Sequence, residues 1–197
     1  MPSGCPFTAA PNRAGTWSAP DLPAARRLIA ASGTRGMSVH VWTDPTKIRY
    51  AGYFVGLLRR LGYRTSLRVR PVGWDYFHTV GDSRTRAQIG TAGWVADYPT
   101  PTTFFTPIFM CRDLRPRSPD NLNLSQLCDP QLDRDVERAL RAGGVADAWR
   151  PAERRLEALA PGVPYATNRS IVLASDRTGN VEQHPMWGTL LERAWVR

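Results

Sequence analysis

The chain has 197 residues, 42% hydrophobic and 22% charged, which describes a globular chain able to bury one ordinary core and excludes a disordered tail. No uninterrupted apolar stretch approaches ~18 residues, so no transmembrane helix is read, and the opening MPSGCPFTAAPNR lacks the basic and apolar regions of a signal peptide. The net charge of +9 is lopsided: residues 1 to 97 carry 13 basic and 5 acidic side chains and the remainder 13 and 12, yet the arginines come as scattered pairs (Arg26/Arg27, Arg59/Arg60) or alternate (Arg64, Arg68, Arg70), as solvated faces do.

Residues 1 to 17 read as irregular. From Asp21 the run LPAARRLIAASG predicts a short helix with Leu22, Ala25, Leu28 and Ile29 on one face and an end at Gly33. Met37 to Trp42 alternates like a strand, with Val39 and Val41 on one side. Asp44 suits a helix cap and Pro45 a first helical position, and Ile48, Ala51, Val55, Leu58 and Leu61 recur at helical spacing up to Gly62. Thr65 to Val72 reads as a strand, Trp74 to Val80 as a short helix, and Ala87 to Val95 as a third strand. Strands alternating with helices predict an α/β layer.

Cys111 and Cys128 bracket RDLRPRSPDNLNLSQL, a Pro- and Asn-rich stretch with little periodicity. It reads as a floppy loop that a Cys111–Cys128 disulfide would close, which implies an oxidising compartment and leaves Cys5 free or paired elsewhere. Three cysteines with no CxxC and no Cys/His cluster argue against a zinc site. Asp129 and Pro130 open a helix with Leu132, Val136 and Leu140 on one face, and Asp147 opens another carrying Trp149, Ala152, Leu156 and Leu159. An extended segment, VPYATNRSIVLAS, leads into turns around Thr178 to Asn180.

The chemistry of an enzyme is missing from the motifs. There is no GxSxG, HExxH or phosphate-binding glycine loop, and His40, His78 and His184 are far apart with no acid at ligand spacing. No catalytic residue, metal or cofactor is predicted. The pairs Asp133/Asp135 and Glu153/Glu157 lie on helices whose apolar faces are elsewhere and read as solvated carboxylates. Trp94 and Asp97, in GWVADYPTPTTFF, stand apart because they close a predicted strand, where an α/β layer gathers ligands. An indole face offers stacking area and a carboxylate a partner for an ammonium group. The alternative is structural, with Trp94 in the core and Asp97 capping the turn from Tyr98 to Pro101.

GWVADYPTPTTFF resembles the GW-x-x-D-Y-x-x-P signature of the family 5 solute-binding proteins, the peptide-binding receptors of bacterial ABC transporters. SQLCDPQLDRDVERAL, LEALAPGVPYATNRSIVLAS, DLPAARRLIAASGTRG and the closing HPMWGTLLERAWVR resemble further segments of that family in the same order. The resemblance implies an α/β lobe of periplasmic-binding-protein-like type II with a mixed sheet and packed helices, corresponding to the C-terminal lobe of a longer, two-lobed, secreted receptor whose N-terminal lobe is missing. It divides the chain into an irregular lead and first helix (1–33), a ligand-binding lobe (34–161), and a return strand with a C-terminal tail (162–197) that would pack on the missing lobe. It implies that Asp97 pairs with a ligand's α-ammonium group, that Trp94 lines the pocket, and that the backbone of Gly93, Trp94 and Val95 pairs with an extended peptide. One departure is Thr100, where many members carry an Asp, so that Asp97 is the only acid of the motif.

The implied function is binding of a peptide or similar small solute for import, with an ABC transporter permease as partner of the complete receptor, an extracytoplasmic location and no enzymatic step. A fragment of this kind is expected to bind weakly alone, and Ile171, Val172, Leu173, Leu190, Leu191 and Trp195 are expected to lie exposed. Nucleic acid is not an expected partner. The alternatives are a nucleic-acid-binding domain using Arg64, Arg68, Arg70, Arg84 and Arg86 with Trp74 and Tyr76 as stacking groups, and a functionless receptor remnant.

Overall fold

The computed structural model describes residues 21–143, 145–165, 171–184 and 187–197. The predicted irregular lead, with Cys5, and the middle of the predicted return strand lie outside the described residues.

Asp21 caps α1 (Leu22–Ser32) by accepting from the Ala24 N–H, and Gly33 ends the helix in the left-handed conformation. Leu22, Ala25 and Ile29 are half-buried, but Leu28 is 72% exposed. At 3.6 residues per turn Leu28 sits about 100° round the axis from Ile29, so it falls outside the covered face predicted for it.

The sheet layer follows the predicted alternation. β1 (Ser38–Thr43) runs into a single 3₁₀ turn (Pro45–Lys47) capped by Asp44, then α2 (Ile48–Arg60), β2 (Arg64–Val69), α3 (Trp74–Gly81) and β3 (Ile89–Gly90). The strand order is β2-β1-β3, parallel throughout, with Val41 opposite Leu67 on one side and Ile89 on the other. Successive β1 residues point to opposite faces of the sheet. Val41 therefore packs with Ala51 and Val55 of α2, while Trp42 packs with Tyr76 and Val80 of α3. The Tyr76 hydroxyl, buried at the seam between β1 and β3, lies 2.6 Å from the carbonyl oxygen of Thr91 and 3.2 Å from that of Trp42, and burial pushes its pKa up to about 12.

One correction concerns this sheet. The strand expected over Ala87 to Val95 is paired only at Ile89–Gly90, with one further bond from the Thr91 N–H to the Trp42 carbonyl. Its partner ends at Thr43, where Asp44 turns the chain into the next helix, so residues beyond Thr91 have nothing to pair with. The mixed sheet resolves into a parallel central sheet and two separate antiparallel pairs: β4 (Thr178–Gly179) with β7 (Trp195–Val196), and β5 (Gln183–His184) with β6 (Gly188–Thr189).

The largest core is helical. α4 (Thr102–Phe109), α5 (Pro130–Arg141) and α6 (Arg150–Leu159) bury Phe105, Leu132, Val136, Ala139, Ala152 and Leu156 together with Met110 and Trp149. Phe105 and Trp149 stack with ring centroids 5.7 Å apart. The helix α4 has no counterpart in the sequence reading, because Pro99, Pro101 and Pro107 mark its whole length as broken. Pro101 caps it instead, and Pro107 sits where α4 has only two residues left to run. Leu140, assigned to the apolar face of α5, is 44% exposed, and Ala139 takes the inner position.

Cys111 and Cys128 form the predicted disulfide, with Cα atoms 4.4 Å apart. The loop between them is not floppy. Asn121 and Asn123 are fully buried and replace the missing backbone ladder with side-chain bonds. Asn121 Nδ2 donates to the Gly81 and Asn123 carbonyls, Asn121 Oδ1 accepts from the Arg115 N–H, and Asn123 bonds both the N–H and the carbonyl of Leu127. Buried polar groups must be paired, and here the pairing is what orders the loop. Asp135 is a further correction: it is buried and accepts from Gln131 and Arg138 rather than facing water.

Residues 161–165 and 171–175 form no strand, in contrast to the predicted return strand. Ile171 is 86% and Leu173 92% exposed. Leu191, Trp195 and Val196 are exposed as well, whereas Leu190 is half-buried.

Candidate functional site

The topology itself marks a position. The crossover through α2 carries the chain to one side of β1 and the crossover through α3 carries it to the other, so the connections diverge between β1 and β3. In open α/β sheets the crevice at the carboxyl ends of two such strands is where ligands sit. Gly93, Trp94, Val95 and Asp97 follow directly from the carboxyl end of β3.

These four residues line one cavity of about 320 Å³, and Gly73, Trp74, Phe77 and Leu122 complete it. Its other walls come from the start of α3 and from the disulfide-closed loop. Trp74 is 68% exposed and lies against His78, with ring centroids 5.6 Å apart. Asp97 is the only charged residue in the lining, set among aromatic, aliphatic and glycine positions.

Thr103, at the start of α4, holds the motif in place. The Trp94 indole N–H donates to the Thr103 carbonyl at 2.8 Å, which fixes the ring of a half-buried side chain. The Thr103 hydroxyl accepts from the Asp97 N–H at 2.8 Å and donates to Asp97 Oδ2 at 2.9 Å. This reciprocal pair has the logic of a capping box, and it explains an Asp at the head of a Pro-rich turn. Asp97 is nevertheless exposed, and its second oxygen, Oδ1, accepts no hydrogen bond among the described residues. One carboxylate oxygen thus serves the turn, as the structural reading of Asp97 expects, while the residue also lines the cavity.

Sequence reasoning missed the opposite wall. In the sequence Trp74 reads only as a stacking group for nucleic acid, and no pattern marks Phe77, Leu122 or Thr103. The available signal was the pairing of Trp74 at the head of one helix with Trp94 at the end of the next strand, which an α/β crossover brings to the same edge. Of the groups offered for nucleic acid, Tyr76 is buried and hydrogen-bonded, so it is not available to a base, and Arg84 is paired with Asp82. Among the described residues no group of three or more His, Cys, Asp or Glu is placed to hold a metal ion, and no helix is long and apolar enough to cross a membrane.

A larger cavity, about 460 Å³, runs along the outer edge of β3 between Val41, Tyr76, Ile108 and Tyr165. Its lining is mainly apolar and carries no charged side chain, so it offers no counter-charge to an ionic ligand.

No protein-family model matches the chain, and no curated protein matches it. Solved structures do. The chain is similar to the clavulanic acid biosynthesis oligopeptide binding protein 2, with a TM-score of 0.79 and 26% identity over 89% of this chain and 34% of that one. It is similar to the ABC transporter-associated periplasmic binding protein DppA from Helicobacter pylori, solved in complex with the peptide STSA, with a TM-score of 0.64 and 20% identity over 72% of this chain and 28% of the other. The Escherichia coli murein tripeptide binding protein MppA follows with 0.60 and 20% over 82% and 31%. The chain spans about a third of the length of these structures. Its fold is that of one lobe of the family 5 periplasmic peptide-binding proteins, as the GWVADY stretch leads one to expect.

Proposed function

We propose that this chain is the ligand-binding lobe of a peptide-type solute receptor serving an ABC importer, and that Asp97 receives the ligand's free amino group. The observation that carries the proposal is Asp97, the one charged residue in the lining of an otherwise apolar cavity, whose Oδ1 accepts no hydrogen bond among the described residues. An ammonium group gains a charge-assisted hydrogen bond there, while Trp74, Phe77 and Trp94 offer area to an adjacent apolar side chain. The exposed backbone of Gly93 and Val95 is unpaired beyond the end of β1, as an added strand would require.

The similar structures are more than twice as long, and in a two-lobed receptor each lobe supplies part of the contact surface. The domain division at residues 33/34 and 161/162 belongs to this proposal, with the exposed tail as the part that meets the other lobe. So do the permease partner and an extracytoplasmic location, with which the Cys111–Cys128 disulfide agrees. The chain alone should hold a peptide weakly.

Titration with the tripeptide Ala-Phe-Ala, followed through the indole N–H resonances of Trp94 and Trp74, tests the reading. Both resonances should shift with the free-amino peptide, and the N-acetylated peptide should bind at least about tenfold more weakly, as loss of a hydrogen bond to a charged group implies. Asp97→Asn should erase that preference. Equal binding of both peptides by the unmodified protein would leave Asp97 with its turn-capping role alone.

A further inference from the structure

Arginines without a carboxylate partner are densest in the first part of the described chain. Arginine ion pairs among the described residues involve Arg84, Arg112, Arg138, Arg141, Arg150, Arg155 and Arg193. No arginine between residues 21 and 73 has a carboxylate partner. That stretch contains only two acids, Asp21 and Asp44, and both are occupied as caps.

Three of these arginines converge on a hollow. A cavity of about 130 Å³ where α1, the turn before β1 and the end of α2 meet is lined by Arg26, Arg35 and Arg60, with Ile29, Leu61 and Gly62 beneath them. The local fold builds it. The Gly36 N–H donates to the Gly62 carbonyl at 2.9 Å, tying the two turns together. Gly62 has φ +101°, and a Cβ there would stand 3.2 Å from Arg35 Cγ and 3.3 Å from its Nε, so the Arg35 side chain lies directly across the glycine. None of the three guanidinium groups donates a hydrogen bond to the described residues.

A solvated helix end accounts for only one of the three. Arg60 lies in the last turn of α2, where a cation complements the helix dipole. Arg26 belongs to α1 and Arg35 to a turn, and neither has such a reason to face the same hollow. Like charges gathered without a counter-charge raise the energy of the free protein until an anion enters. Guanidinium forks match the oxygens of a phosphate in two-point contacts. The volume is a few times the roughly 30 Å³ share of a water molecule, enough for a tetrahedral oxyanion with part of its hydration and too little for a peptide.

We infer that Arg26, Arg35 and Arg60 form a binding site for a phosphate-type oxyanion, either free or as the headgroup of a lipid. The hollow adjoins the amino ends of β1 and β2, the opposite end of the sheet from Asp97, so this inference does not rest on the proposed peptide site.

Inorganic phosphate titrated calorimetrically into the protein, with chloride adjusted to hold ionic strength constant, provides the test. Saturable binding of one phosphate per chain is expected. Arg35→Ala, Arg60→Gln and Arg26→Gln, all at exposed positions that spare the core, should each weaken it by about tenfold or more. Arg27→Gln removes a neighbouring charge without touching the hollow and should change it less than about twofold. Absence of saturation, or equal losses in Arg27→Gln and Arg35→Ala, would overturn the site. Flotation with phosphatidylcholine vesicles, with and without phosphatidic acid, then separates the sources: flotation that requires phosphatidic acid and Arg35 identifies a headgroup, and saturable phosphate binding without flotation identifies a free anion.

Discussion

The helical unit from Thr102 to Leu159 and the stretch from Ile171 to Arg197 are close in sequence and opposite in the use they make of apolar residues. The first buries Phe105, Met110, Leu132, Val136, Trp149 and Leu156 in one cluster and closes itself with a disulfide. The second leaves Ile171, Leu173, Trp187, Leu191 and Val196 facing water and holds together through two-residue strand pairs. Hydrophobic residues stabilise only when something covers them. The helical unit covers its own, and the tail leaves most of its own exposed.

A large-to-small change in each region tests the contrast most sharply. Leu132 is fully buried between α5 and its neighbours, so Leu132→Ala should lower the unfolding free energy by about 2 to 5 kcal/mol, read from the shift in urea midpoint. The same change at Leu173 should cost less than about 0.5 kcal/mol. Similar losses at the two positions would mean that the tail is packed in solution and the contrast is false.

The disulfide comes next. Cys111 and Cys128 are 17 residues apart in sequence, and by the chain-entropy argument their bond contributes about 3 kcal/mol. Reduction, or the Cys111→Ser, Cys128→Ser pair, should cost about that much. Part of the loop should survive, because Asn121 and Asn123 anchor it to Gly81 and Leu127 independently of the sulfur bridge. Hydrogen exchange resolves the two contributions: the Leu127 N–H, bonded to Asn123 Oδ1, should stay protected after reduction, while the Asp113 and Leu114 amides should lose protection.

These regions also show how far a sequence carries its fold. α5 and α6 were legible because caps at Asp129 and spacings of three and four act locally, and the β1–α2–β2 unit was legible because Asp44, Pro45 and the alternation of Val39 and Val41 do the same. α4 was hidden, since its prolines sit at a cap and near an end, and only the three-dimensional setting shows them to be harmless. The order of the 111 to 128 loop was hidden for a different reason: asparagines that look like turn formers satisfy carbonyls as far away as Gly81, which no local pattern announces. At the candidate site, Trp94 and Asp97 stood out through their motif. Trp74 and Thr103 joined them only through the crossover and the turn that bring the three segments together.

The smallest expected effect on stability concerns the tail, and there association is the informative readout. Leu173 is 92% exposed with Ile171 near it at 86%, and the backbone from 171 to 174 makes no hydrogen bond to the described residues. An exposed, unpaired apolar segment of this kind invites pairing with another chain. Replacing Leu173 by Ser should therefore leave the urea midpoint within about 0.5 kcal/mol of the parent while reducing concentration-dependent association in sedimentation velocity. Amides of 171 to 174 should exchange at nearly free-chain rates in a dilute sample, against strong protection at Val41 and Val136. If Leu173→Ser left association unchanged and the 171 to 174 amides were as slow as those of β1 in a monomer, the tail would be part of a self-sufficient domain, and the surface assigned to the other lobe would have to be sought elsewhere.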